Sequence, residues 1–226
     1  MRALAAGLTL CAVLAGGAGT ARAEDALRLP AYETVSLDNG LTLHLMRHAT
    51  VPLVTLEMWL PAGAAMDPPG KEGLANLTAE ALRKGAGSRD ARAFAEAVDA
   101  LGADFSASVN ADRVRITLQL LAKDFDEGLA LFADAVLAPR FDEAELSKLT
   151  RQLAESVVEA KDNPRNVLGA YHRAFLYGDH PYTNPLGGAE TSRPGLTHTH
   201  VVGCRQNAYG PDRPVLRDVN LHVRPG

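Results

Sequence analysis

The stretch "GLANLTAEALRKGAG", Gly73 to Gly87, decides the reading of this chain. Leu74, Leu77, Thr78, Ala81 and Leu82 fall at i, i+3, i+4, i+7 and i+8. That spacing predicts one buried face of an amphipathic helix that ends near Gly85. Asn76, Ala79 and Glu80 stand between the stripe positions.

Working outward, strand signals precede this helix. Val35 and Leu37 alternate with polar residues, Asp38-Asn39-Gly40 supplies a turn, and Leu41, Leu43 and Leu45 alternate again, which reads as a hairpin. Val54, Leu56, Met58 and Leu60 form a third alternating strand, closed by Pro61 and a loop from Gly63 to Gly73 that carries Pro68-Pro69-Gly70. After the helix, a second one is expected over 91–101. Two antiparallel strands follow, with Phe105, Ala107 and Val109 on one and Val114, Ile116, Leu118 and Leu120 on the other.

Phe125, Leu129, Phe132 and Val136 mark a helix stopped by Pro139. Leu146, Leu149, Leu153 and Val157 mark a longer one stopped by Asp162-Asn163-Pro164, and a further helix over 167–176 precedes the loop "YGDHPYTNPLGG". Strands in groups and helices in groups imply an α+β fold, an antiparallel sheet with helices packed on one side.

The first residues bear on compartment. Arg2 precedes an apolar run to Leu14, and Ala21-Arg22-Ala23 stands before Glu24-Asp25, the pattern of a cleaved secretory signal peptide over 1–23 and a periplasmic or secreted protein. Gly16, Gly17 and Gly19 weaken the same run as a membrane anchor. A lipoprotein signal ending at Cys11 would put bulky Leu10 where a small residue belongs. The remainder, 24–226, is long enough for a single domain. With Cys11 in the signal, Cys204 stands alone, which leaves no internal disulfide, zinc finger or thiol-redox motif. A formal net charge of −4 with scattered Lys and Arg argues against nucleic acid or an anionic membrane as partner and leaves proteins or peptides.

In order along the chain, "LDNGLTLHLM", "GLANLTAEALRKGAG", "VEAKDNP" and "FLYGDHPYTNPLGG" resemble the pitrilysin/insulinase family of zinc peptidases, which carry H-x-x-E-H on a helix. In that motif the two His, four apart on one helical face, clasp Zn²⁺ while the Glu acts as general base. The matching positions here are Asn76, Ala79 and Glu80. Asn is a poor zinc ligand, Ala takes no proton from water, and one carboxylate does not replace two imidazoles.

The resemblance also implies a third ligand, a Glu on a later helix. Glu155 has that side chain, but counting back from Asp162-Asn163-Pro164 puts Ser156 at the family position. Helical phase puts Ser156 near the buried stripe, three residues past Leu153, and Glu155 in solvent. All three metal positions therefore read as vacant, and no cofactor is expected on this chain.

Other sites are weakly signalled. His44 and His48 are four apart but in a strand and its exit, where the helical clasp does not apply. His198 and His200 lie at an apparent helix start with no carboxylate nearer than Glu190. In "HPYTNPLGG" the Pro and Gly fix turns and Tyr182 reads as a half-buried aromatic. No Gly-x-Ser-x-Gly elbow exists, and Cys204 has no activating neighbour in sequence.

The resemblance implies a catalytic unit of two similar halves around a chamber, and pairs in which one subunit keeps zinc while the other has degenerate ligands. This chain fits the second role: a non-catalytic subunit that pairs with a zinc-bearing homologue and helps hold an extended peptide, with β-augmentation as the physical route. Two alternatives stand beside it. One is a weakly active metallopeptidase with a site rebuilt from Glu80, Glu155 and a histidine such as His180; the other is a truncated, non-functional fragment. The second is raised by the carboxy end, where "YGPDRPVL" leads into "RDVNLHVRPG" instead of a longer apolar strand, so that the family's carboxy-terminal half-unit is expected to be absent. Val219, Leu221 and Val223 there suggest a short half-exposed strand.

Overall fold

Alternation of the kind that marks a strand with one buried face runs through the centre of the molecule. In this computed structural model, which describes residues 31–38, 40–47 and 50–209, Val114, Ile116, Leu118 and Leu120 are all buried. They lie on one side of a strand whose other side carries exposed Arg115 and Gln119.

The strands are β1 (Tyr32–Ser36), β2 (Thr42–Met46), β3 (Leu53–Leu60), β4 (Gly85–Ala86), β5 (Arg89–Asp90), β6 (Asp104–Val109) and β7 (Val114–Leu121). The α-helices are α1 (Leu74–Ala81), α2 (Ala91–Ala100), α3 (Phe125–Leu137), α4 (Glu143–Ala160), α5 (Pro164–Tyr177) and α6 (His198–Tyr209). The expected α+β architecture is present, and every described pairing is antiparallel.

The sheet is divided. β7 sits centrally in a three-stranded ladder, β3-β7-β6, while β1 and β2 pair with each other and β4 with β5. The register puts Leu56 and Phe105 opposite Leu118, and Met58 and Ala107 opposite Ile116, so apolar side chains from three strands share one face. The short β4-β5 ladder has no counterpart in the sequence reading, because two-residue strands carry no measurable alternation. Asn39 of the predicted turn, His48, the signal segment and the Val219–Val223 strand lie outside the described residues.

Helices α1, α2 and α3 cover the apolar face. Phe94 of α2 meets Phe105 of β6 edge-on at 5.6 Å between ring centroids, and Phe105 meets Phe132 of α3 at 6.4 Å. Asp90 caps α2, its carboxylate accepting from the Ala93 N–H at 2.8 Å. Asn163 caps α5, which opens with Pro164 at a position where a missing N–H costs nothing. Among the described residues no helix is long and apolar enough to cross a membrane.

One backbone crossing positions the candidate site. Gly73, the residue preceding α1, has φ +93, and a Cβ built there would come within 2.6 Å of the Gly188 Cα. Gly188 has φ +80, and its own Cβ would meet the Glu72 carbonyl oxygen at 2.7 Å. Only residues without a side chain let these two segments touch. Gly73→Ala is expected to lower unfolding stability by at least ~2 kcal/mol, combining left-handed strain with a backbone clash; urea denaturation with an unchanged m-value would measure it.

Candidate functional site

The site is built around α1, and its first feature is an unusual cap. Gly73 offers no side chain to the orphan N–H groups of the first turn. Asp67, six residues upstream and buried, serves instead: its Oδ2 accepts from the Gly73 N–H at 2.7 Å and its Oδ1 from the Ala75 N–H at 2.8 Å. The positive end of the helix dipole favours a carboxylate there. Burial nonetheless pushes the Asp67 pKa above its ordinary value, against the pull of these hydrogen bonds and of nearby Arg193.

The second feature is Arg193, in a 3-10 turn over Arg193–Gly195. Its side chain is 1% exposed. Nη2 donates to Asn76 Oδ1 at 2.6 Å and Nε donates to the Gly187 carbonyl at 2.6 Å, while Nη1 is buried with no acceptor among the described residues. Burial lowers its pKa to about 10, with the Asp67 and Glu80 carboxylates opposing that fall, so the guanidinium is charged at neutral pH. The Gly73–Gly188 crossing makes the space, since a Cβ at Gly188 would stand 2.6 Å from Arg193 Nε and one at Gly73 would stand 2.9 Å from it.

Around these, the 184–196 segment is stitched to the loop before α1. Asn184 Nδ2 donates to the Ala64 carbonyl at 3.0 Å, and Ser192 Oγ donates to the Glu72 carbonyl at 2.8 Å. Tyr182 is half-buried, and its hydroxyl donates to Asp112 Oδ1 at 2.7 Å, which raises the phenol pKa. His180 Nδ1 accepts from the Tyr182 N–H at 3.2 Å and so caps the turn over Pro181–Thr183.

The motif positions divide by burial. Ala79 is 0% exposed and belongs to the core cluster. Asn76 and Glu80 are partly exposed on the neighbouring face; Asn76 is engaged by Arg193, and Glu80 lies 3.4 Å from Arg83 Nε. Of the two competitors for a third ligand, Glu155 is exposed, as helical phase indicated. Ser156 is exposed too, its hydroxyl donating to the Leu153 carbonyl at 2.8 Å, which corrects its placement near the buried stripe. The reason is that the buried residues of α4, Leu146 and Leu149, sit in its first half, and beyond Leu153 its side chains are at most partly covered, as at Val157.

The histidines stay apart. His44 Nδ1 lies 3.2 Å from Thr34 Oγ1 across the β1-β2 hairpin, and His200 Nδ1 accepts from the Thr197 N–H at 3.3 Å at the start of α6. Among the described residues, no three His, Cys, Asp or Glu side chains come together in a way that could hold a metal ion, so Glu80, Glu155 and His180 do not converge. Cys204 is largely enclosed against the core and burial raises its thiol pKa, the opposite of what a nucleophile requires.

Against this geometry the relatives can be placed. Residues 43–190 match the family described as Insulinase (Peptidase family M16). The chain belongs to that family.

Curated relatives include uncharacterized zinc proteases of Rickettsia bellii, 25% identical over 181 residues, and of Bacillus subtilis, 24% identical over 178. Each alignment covers 44% of the relative, and 80% and 79% of this chain respectively, so the chain spans less than half the length of these proteins. Among solved structures, the peptidase M16 inactive domain from Pseudomonas fluorescens superposes with TM-score 0.75 at 27% identity, over 79% of this chain and 44% of that one. Pitrilysin shares the fold with TM-score 0.70 at 18% identity, over 81% of this chain and 20% of that one.

Membership brings the expectation of zinc, and the residues present do not fit it. An amide already bonded to a guanidinium, a methyl group in the core and one carboxylate make no tetrahedral donor set, and a cation faces the place where a second cation would go. What the arrangement does chemically is bind two segments by charge-assisted hydrogen bonds.

Arg193 and Asp67 were not legible as site residues. Both lie in loops where no periodicity applies, Asp67 beside two prolines and Arg193 before a third.

The Asp67 environment has a pH consequence. A carboxyl whose folded pKa is raised contributes stability that is fully present below the ordinary value of 3.8 and lost as pH rises through the folded one. Asp67→Asn removes that dependence, so the melting temperature of the variant minus that of the native chain is expected to increase with pH across the acid range. Thermal melts from pH 4 to 7 would check it, and a flat difference would contradict the assignment.

Proposed function

We propose that this chain is a non-catalytic member of the insulinase family that pairs with a zinc-bearing homologue and helps form a peptide-holding chamber. The observation that carries the reading is the state of the motif face: Ala79 is buried where a general base belongs, and Asn76 is bonded to Arg193 where a ligand belongs. Likeness to a structure described as an inactive domain of the same family supports it.

A partner surface is also available. On α5, Leu168, Tyr171 and Phe175 are 67%, 73% and 87% exposed, and their spacing of three and four residues places them along one helical stripe. Large apolar side chains grouped in this way mark an interaction face more often than singly scattered ones do. The edges of the β3-β7-β6 ladder offer main-chain groups for an extended peptide. Export through residues 1–23 would put the pair in the periplasm or outside the cell.

Metal content and peptide hydrolysis, measured on the chain alone and after co-expression with a zinc-bearing homologue, test the proposal. The chain alone is expected to carry no stoichiometric zinc and to hydrolyse nothing, while a stable complex hydrolyses peptides and needs both chains. One zinc per chain with activity in isolation would end this reading in favour of a rebuilt site.

Phe175→Asp probes the surface directly. It is expected to weaken the complex at least about tenfold while changing the stability of the isolated chain by no more than ~0.5 kcal/mol. Sedimentation of the mixture and thermal melts of the variant read the two quantities separately.

A further inference from the structure

We propose that the guanidinium of Arg193 is a built-in cation that stands in the place of a metal ion on the motif face of α1, joining α1 to the 187–195 segment and excluding a divalent cation from that face. The proposal rests on the family membership that assigns positions 76 and 80 to metal binding, and it is independent of any partner.

Three observations on separate elements converge. The first is contact: Arg193 Nη2 reaches Asn76 Oδ1 at 2.6 Å, so the side chain at the first motif position is used as an acceptor for a cation. The second is charge. The carboxylates of Asp67, before α1, and of Glu80, at the last motif position near its carboxy end, act with Arg193 as one electrostatic group along α1. The titratable groups facing it include Asp67 from the preceding loop, Glu80 from α1 itself, Arg83, which shares Glu80, and Cys204 from α6, whose thiol senses the Asp67 charge. The third is space: Gly73 and Gly188, both with positive φ, leave a gap between two backbones that Arg193 Nε fills, and a Cβ at either would intrude on it.

A fully buried arginine is costly to desolvate, and Nη1 remains without an acceptor among the described residues. Two carboxylates and two accepting oxygens offset that cost. In a zinc peptidase the metal's positive charge and its bonds tie a helix to other elements. Here one side chain supplies a single positive charge and two directed hydrogen bonds at the same helical face. A divalent ion brought beside it would meet a fixed like charge in a poorly solvated place, where such repulsion is strong.

The consequence is that restoring ligands alone does not restore metal binding. The test compares Zn²⁺ affinity, by competition with a chromophoric chelator, among the native chain, N76H/E80H, and N76H/E80H carrying also Arg193→Gln or Arg193→Met. Ala79 is left unchanged because it is buried and its family counterpart is not a ligand. The native chain is expected to bind no zinc. N76H/E80H with Arg193 retained is expected to bind at least about tenfold more weakly than either variant that lacks the guanidinium.

Equal affinities with and without Arg193 would overturn the proposal, as would a one-per-chain zinc complex of N76H/E80H with Arg193 intact and a raised melting temperature. Should the Arg193 variants not fold, N76H/E80H with Arg193 intact still decides against the proposal if it forms a one-per-chain zinc complex with a raised melting temperature. Zinc bound stoichiometrically by the native chain would sink the non-catalytic reading along with exclusion, whereas zinc bound only by N76H/E80H with Arg193 intact would sink exclusion alone, so the two failures are distinguishable.

The tie between segments has its own readout. Asn76→Ala and Arg193→Gln are expected to be non-additive, the double variant melting no lower than Arg193→Gln alone. Strict additivity would show that the pair is merely adjacent.

Discussion

The close passage of the Gly188 backbone over Gly73 is the constraint from which the site follows. Because neither residue has a side chain, the loop after α5 lies directly on the entry to α1, and Arg193 reaches across the helix face from there. Asp67 completes the arrangement from the other side by holding the first N–H groups of α1. A helix of eight residues has little stability of its own. It is kept by this cap, by the charged group beside it and by the core beneath Leu74, Leu77, Ala81 and Leu82.

A non-catalytic member of a zinc-peptidase family, as proposed for this chain, faces a physical problem, since a helix face shaped for a dication and its ligands must be satisfied by something else. Replacing the ligands with apolar residues would be one solution. This chain has another, in which polar residues remain at positions 76 and 80 and a guanidinium is placed among them. Arginine suits the role because its charge persists even when burial lowers its pKa to about 10, and because its planar fork can bond two acceptors at once. Lysine, with a compact and strongly hydrated charge, would lose more on desolvation.

Much of the fold was legible from periodicity. The β3-β7-β6 ladder and helices α1 to α5 each carry enough residues for a two- or 3.6-residue repeat to be visible, and their ends coincide with Gly, Pro or Asn signals within a few residues. Asn163-Pro164, read as the stop of α4, also opens α5, which therefore begins three residues before the expected 167. Ser156 shows where phase reasoning stops: it predicts which side of α4 a residue is on, but whether that side is covered depends on neighbours that the helix itself does not specify. The same holds for α5, whose apolar stripe of Leu168, Tyr171 and Phe175 is exposed.

What the sequence determined by itself was the α+β class, the strand and helix order, and that Asn76, Ala79 and Glu80 stand on the α1 face, because each depends on local residue type and spacing. What only the tertiary structure decided was what fills that face. Arg193 is 117 residues from Asn76 along the chain, and Asp67 caps a helix from outside the usual capping position. Their meeting depends on a backbone crossing between two loops. Periodicity is blind to such a crossing, because loops have no repeat and because the energy of a buried charge is set by the groups that surround it in space.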